Sequence, residues 1–95
     1  MTKAEAPPPQ HNPSAGISPQ DRPLAEIDAR DLLCPLPVLR LRKALAGLAP
    51  GQSLRLLATD PASWIDVPHF CAEQGHDLLA AEDRDGLKTY LVRRG

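Results

Sequence analysis

The stretch "DLLCPLPVLRLRKAL", residues 31–45, decides the fold, because a short apolar segment ends within it and a helix begins there. Cys34 stands at that point, followed directly by Pro35 and, two residues later, by Pro37. Proline is tolerated in the first turn of a helix, where its missing N–H has no partner to lose. Apolar side chains then recur at helical spacing, at Val38, Leu41, Leu45 and Leu48. The pattern predicts an amphipathic helix over 35–48, ended by Pro50 and Gly51.

Strand patterns flank this helix on both sides. "LAEIDA" (24–29) alternates between apolar and polar residues, and "QSLRLLAT" (52–59) is rich in apolar residues, so each predicts a strand. "HDLLAAED" (76–83) and "LKTYLVRR" (87–94) are separated by "RDG", in which Gly86 suits a left-handed backbone position. These two segments predict a terminal hairpin.

A second helix is predicted over "DPASWIDVPHFCAEQG", residues 60–75. Asp60 is a favoured N-cap residue, Pro61 suits the first helical position, and Gly75 is a typical helix stop. The complete order is βαβαββ. It predicts an α+β fold, a two-layer α/β sandwich in which two helices cover one face of a four-stranded mixed sheet. A right-handed crossover makes the first two strands parallel, so both helix N-termini, with Cys34 and Asp60, meet at one sheet edge.

Composition restricts the classes of function. Residues 1–23 contain six of the eleven prolines and almost no large apolar side chain, which predicts a disordered tail, so the folded domain spans 24–95. Eleven basic and twelve acidic residues give a net charge of −1, and aromatic residues make up 3%. This balance does not indicate direct nucleic-acid binding. Two cysteines, no leader-like apolar segment and no run of membrane-spanning length favour a cytoplasmic protein without a membrane anchor.

Cys34 is the residue whose position has chemical consequences. With Cys34 as N-cap, the helix dipole and the amide of Leu36 are expected to lower the pKa of the thiol towards neutrality. The residue would then be a nucleophile or a sulfur carrier that needs no histidine base. The alternative is a small apolar residue that only caps the helix.

The ordered set "CPLP", "LRKAL", "DPAS", "DVPHFC", "GHDLLA" and "YLVRRG" resembles the TusA/SirA-like family of sulfur carriers (sulfurtransferases). The resemblance runs from about Asp28 to Gly95 and implies the same βαβαββ fold. It also implies that Cys34 accepts a sulfane sulfur as a persulfide, supported by Pro35, Leu36 and Pro37 of the motif. Many relatives have glycine where this chain has Asp31, a basic residue at Leu33 and an acidic one at Leu36.

The partners implied by the resemblance are a sulfur donor protein, a cysteine desulfurase or a rhodanese-like protein, and a sulfur acceptor protein. The acceptor would serve tRNA thiolation, molybdenum-cofactor maturation or sulfur oxidation. The alternative function is a non-catalytic regulatory or protein-interaction module on the same fold.

Other side chains are assigned by position. Arg40, Lys43, Trp64 and Ile65 are candidate docking residues around Cys34, together with Leu36. Cys71 belongs to a predicted core stripe with Val67, Phe70 and Gln74, and Asp66 is expected to be a solvated helix residue. The spacing of His69, Cys71 and His76 does not fit a metal site, and no glycine-rich motif indicates a nucleotide cofactor.

Overall fold

The computed structural model of this 95-residue chain describes residues 22–95. Within them the elements follow the order βαβαββ, as the sequence predicts. The tail predicted over 1–23 lies outside the described residues except for its last two, and Pro23 already belongs to the first strand. The elements are β1 (Pro23–Ala29), α1 (Leu36–Ala46), β2 (Ser53–Ala58), α2 (Ser63–Gln74), β3 (Asp77–Arg84) and β4 (Leu87–Arg93).

The sheet has the spatial order β1-β2-β4-β3 and is mixed. β1 pairs with β2 in parallel, and the other two pairs are antiparallel. Because β1 and β2 are parallel, the chain leaves both at the same edge, and each exit leads into a helix. This topology brings the N-termini of α1 and α2 together.

Both helices cover one face of the sheet. α1 packs on β1 and β2, α2 packs on β3 and β4, and the two helices contact each other. Burying these apolar faces is the main source of stability in a domain of this size. The core residues are Ala29, Leu41, Leu45, Leu54, Leu56, Ala58, Val67, Phe70, Cys71, Tyr90 and Val92.

Both helices start later than the sequence predicts. The N-cap of α1 is Pro35, not Cys34, since the carbonyl of Pro35 accepts the first helical bond, from Leu39 N at 3.1 Å. The predicted cap Asp60 lies two residues before Ala62, the actual N-cap of α2. A tight turn precedes α2, and its bonds span three residues rather than four, as in the bond from Ser63 N to the carbonyl of Asp60 at 3.0 Å.

The glycine signals are confirmed at two chain reversals. Gly75 ends α2 with φ 76°, and its N–H binds the carbonyl of Cys71. Asp85 and Gly86 connect β3 to β4 with φ 54° and 88°, both positive as a two-residue type I′ turn requires. No helix within residues 22–95 is long and apolar enough to cross a membrane.

Candidate functional site

Cys34 lies exposed in the loop between β1 and α1, one residue before the N-cap of α1. Its backbone N–H donates to Asp60 Oδ2 at 2.6 Å. Its Sγ lies 3.0 Å from Asp66 Oδ2, in the first turn of α2. Two carboxylates from the neighbouring loop and helix therefore hold the cysteine, one through the main chain and one through the sulfur.

Asp60 connects the two helix entries. One carboxylate oxygen accepts from Cys34 N, and the other accepts from Ala62 N at 3.2 Å. Its carbonyl also accepts from the hydroxyl of Ser63 at 2.8 Å, and that hydroxyl lies 2.8 Å from Tyr90 Oη. The loop that carries the thiol is thus bound to α2, and α2 is bound to β4 beneath it.

The expected activation of the thiol by the helix is wrong. The pKa of Cys34 is raised, first because Sγ donates a hydrogen bond to Asp66, and further by partial desolvation and the charges of Asp66 and Asp60. The amide of Leu36, expected to meet the sulfur, donates instead to the carbonyl of Leu33 at 2.8 Å. This environment therefore favours the protonated thiol over the thiolate.

Asp66 is the site residue that sequence reasoning missed. It is half-buried and bound to the sulfur, whereas a solvated helix residue was expected. The available signal was its place in the first turn of α2, because that turn was predicted to share a sheet edge with Cys34. What the sequence does not give is the rotation of α2, which decides whether residue 65 or residue 66 faces the loop.

Large apolar side chains remain exposed in the two segments that carry Cys34 and Asp66, and we call them the apolar rim. Ile65 is 73% exposed and Trp64 43%, in the two positions directly before Asp66. Trp64 also packs beside Tyr90, with 6.2 Å between ring centroids, so it covers the core edge and still presents surface. The other rim residues are Leu33, Leu36 and Leu39.

The two predicted basic docking residues differ in position. Arg40 lies about one turn into α1 and lines a polar cavity of about 500 Å³ with residues of the β1–α1 loop. Lys43 is in the last turn of α1, roughly 10 Å along the axis from Leu36, so it is not part of the edge that carries Cys34. In the same cavity wall, Asp28 and Arg30 form an ion pair at 2.8 Å that holds the pKa of Asp28 at about 2.

Cys71 has the structural position predicted for it. It is buried in the core, and burial raises the pKa of its thiol to about 11. Both cysteines are free. Gln74, assigned to the same core stripe, is exposed instead. His69 pairs with Glu73 at 3.3 Å, and within residues 22–95 no group of three potential ligands is arranged to hold a metal ion.

A family model described as sulfurtransferase TusA matches residues 25–94, nearly all of the described chain. The chain belongs to the TusA family. Members of this family are sulfur carriers or sulfurtransferases, which is the role that the resemblance in sequence implied. Among solved structures, a SirA-like protein from Desulfitobacterium hafniense has the same fold, with a TM-score of 0.68 and 26% identity. The match covers 76% of this chain and 99% of that protein.

Proposed function

We propose that this TusA-family protein carries sulfur as a persulfide on Cys34, taking it from a donor protein and passing it to an acceptor protein. The observation that carries the proposal is the contrast between the two cysteines. Cys34 is exposed at a helix entry with its main chain fixed by Asp60, whereas Cys71 is closed inside the core. A thiol that exchanges sulfur with other proteins has to be reachable by a second protein chain, and only Cys34 meets this condition.

The transfer needs no oxidant. The Cys34 thiolate attacks the outer, sulfane sulfur of a donor persulfide, so that a new S–S bond forms on Cys34. The S–S bond of the donor breaks, and its electron pair stays with the donor sulfur, which leaves as a thiolate and takes up the proton lost by Cys34. Passing the sulfur to an acceptor thiolate repeats these steps in the opposite sense.

The test is mass spectrometry after incubation with a cysteine desulfurase and cysteine. We expect a gain of one sulfur atom on the peptide that contains Cys34, lost on treatment with a thiol reductant. Cys34→Ser should abolish the gain, and Cys71→Ser serves as the matched control. A protein that stays unmodified with both a desulfurase and a rhodanese-like donor would instead support the non-catalytic interaction module.

The apolar rim is the proposed docking surface for the donor. Its residues flank Cys34 in sequence or directly precede Asp66, which contacts the sulfur, and aromatic residues at such edges are frequent binding hot spots. Trp64→Ala should slow loading by a protein donor and leave loading by a small persulfide unchanged. Leu24→Ala is the control, because Leu24 is also exposed but lies near the opposite end of β1. Equal effects of the two substitutions on loading by the protein donor would exclude the apolar rim as the docking surface.

We further propose a reducing, cytoplasmic setting, supported by two cysteines that are both unpaired in the fold. The acceptor pathway is tested by presenting the loaded carrier in turn to tRNA-thiolation, molybdenum-cofactor and sulfur-oxidation acceptors. The pathway served is the one whose acceptor removes the sulfur from Cys34.

A further inference from the structure

Asp66 faces the sulfur of Cys34 without a cation of its own. The carboxylate lies 3.0 Å from Sγ, and no ion pair formed within residues 22–95 includes Asp66 or Asp60. A second negative charge beside the sulfur disfavours the thiolate, which is the nucleophile in sulfur transfer. The geometry therefore opposes the reaction for which the exposed position of Cys34 is suited.

The other charges near the site do not relieve this opposition. Asp60, in the loop before α2, adds a further unfavourable charge. Arg30, on the segment that carries the thiol, is paired with Asp28, and Arg40 of α1 also acts on Asp28. Among residues 22–95, no ion pair therefore offsets the charge of Asp60 or Asp66.

We propose that Asp66 locks Cys34 in its unreactive thiol form in the free protein, and that a sulfur donor releases the lock by presenting a cationic side chain to Asp66. This inference rests on the proposed function and adds the kind of partner that the site fits: a protein surface with an apolar patch and an arginine or lysine within it. The apolar patch covers the rim, and the cation meets the carboxylates of Asp66 and Asp60. Arginine suits such a carboxylate best, because its planar fork binds both oxygens.

The chemical sequence follows from these contacts. The free carrier keeps its proton on Sγ, shared with Asp66. Docking brings the cation to Asp66, which takes away the hydrogen-bond acceptor and neutralises the opposing charge. The Cys34 thiolate then forms an S–S bond to the donor sulfane sulfur as the S–S bond of the donor breaks, and the donor thiolate that leaves takes up the proton lost by Cys34. The lock thereby limits the reactive form to the complex with a partner.

The lock is tested first without any sulfur donor. Iodoacetamide is neutral, so its rate with Cys34 reports the thiolate fraction rather than attraction of the reagent. In the full chain, Asp66→Asn should raise the alkylation rate at neutral pH by roughly tenfold, because it removes a carboxylate in contact with the thiol. Asp31→Asn is the control, since Asp31 lies in the same loop without a side-chain contact to Sγ. An unchanged or slower rate in Asp66→Asn, with a folded far-UV spectrum, would overturn the lock.

The second arm compares two sulfur donors. With a small persulfide, Asp66→Asn should load faster than wild type by a similar factor. With a persulfidated cysteine desulfurase, Asp66→Asn should load at the wild-type rate or more slowly, because the cation of the donor no longer has a carboxylate to bind. An equal increase in the loading rate of Asp66→Asn with both donors would contradict release by a cation. A decrease in the loading rate with both donors would show that Asp66 acts as a base and not as a lock.

Failure of the proposed function is distinguishable from failure of the lock. If wild type takes up no sulfur from either donor, the carrier proposal fails, while the alkylation rates still report whether Asp66 restrains the thiol.

Ionic strength gives an independent readout of the cationic contact. Added salt should slow loading of wild type by the desulfurase more than loading of Asp66→Asn, because salt screens the attraction between charged groups. Equal salt dependence would exclude the cationic contact.

Discussion

At residue 31 the backbone has φ 67°, in the left-handed region that favours glycine. The TusA/SirA-like pattern usually has glycine at this position, and this chain has Asp31. Aspartate is among the few non-glycine residues that tolerate this conformation. The Asp31 N–H donates to Thr59 Oγ1 at 2.9 Å, which ties the loop to the end of β2. The departure in sequence therefore keeps the conformation that leads the chain to Cys34.

Alkylation should distinguish the two cysteines in the folded protein. Cys34 should react far faster than Cys71, because Cys34 is exposed while Cys71 is buried with a thiol pKa of about 11. Since the pKa of Cys34 is also raised, its rate should keep rising through the usual range of thiol titration, without a plateau near neutral pH. Peptide mapping over a pH series measures both rates. Equal labelling, or a plateau near pH 7, would contradict the assigned environments.

Asp28 should titrate far below the usual range of a carboxyl group. Hydrogen bonds from Arg30 stabilise the carboxylate and lower the pKa from 3.8 to about 2. The stabilisation is complete above the ordinary pKa of 3.8 and is lost as pH falls through about 2. NMR of the side-chain carboxyl carbon should give this midpoint, and Arg30→Ala should return it towards the ordinary value. An ordinary midpoint in the wild type would show that the pair does not persist in solution.

At the scale of elements, α2 is fixed at its start by a buried polar contact. Tyr90 of β4 is fully buried, and its hydroxyl lies 2.8 Å from the hydroxyl of Ser63, which also binds the carbonyl of Asp60. The oxygen of Ser63 thus donates to Asp60 and accepts from Tyr90. This contact ties the first turn of α2, which also carries Asp66, to β4.

Tyr90→Phe tests this anchor. The substitution keeps the ring in the core and removes one buried hydrogen bond, so the free energy of unfolding should fall by about 1 kcal/mol. Urea unfolding of both proteins gives the difference. Because Ser63 keeps its bond to Asp60, the fold and the protection of Cys71 from alkylation should be retained. No loss of stability would mean that water replaces the hydroxyl.

The elements themselves could be predicted because their signals are local. The helical spacing of Leu41 and Leu45 predicted α1, and Gly75 and Gly86 marked two chain reversals. The strand patterns and the right-handed crossover then predicted the order and the mixed sheet. The predicted first residues of both helices were wrong, because tight turns at Pro35 and before Ser63 provide hydrogen-bond acceptors for the first backbone amides. Sequence patterns do not distinguish such turns from helix.

The site was predicted only in part, for a different reason. The position of Cys34 at a shared edge follows from topology, but its pKa depends on which side chain of α2 faces it. That choice depends on packing between α2 and the sheet, including the bond between Ser63 and Tyr90, and these residues are 27 positions apart in sequence. Non-local contacts of this kind leave no periodic signal.

In the whole molecule, the reactive edge and the core are separate. Cys34 lies at the edge where the chain enters both helices, and Cys71 lies in the layer between helices and sheet. The first contributes its main-chain N–H to the fold, whereas the second contributes its side chain. Chemistry and stability should therefore respond to different substitutions.

A pair of serine variants tests this separation. Cys34→Ser should keep the unfolding midpoint of wild type, because Ser keeps the N–H that Asp60 binds and its side chain is exposed. Cys71→Ser should lose about 1–3 kcal/mol, since it places a hydroxyl in an apolar layer. Urea unfolding followed by circular dichroism measures both. A larger loss for Cys34→Ser than for Cys71→Ser would reverse the roles assigned to them.

The bond from Asp60 to the amide of Cys34 also has an evolutionary consequence. Any amino acid except proline supplies that N–H, so the loop does not depend on the sulfur that it displays. A descendant gene that acquires serine or alanine at position 34 would keep the loop, the apolar rim and the entries to both helices while losing its nucleophile. Such a duplicate would still bind the same partner proteins and would compete with the active copy for them. A change of one codon would therefore convert the carrier into an inhibitor of sulfur transfer.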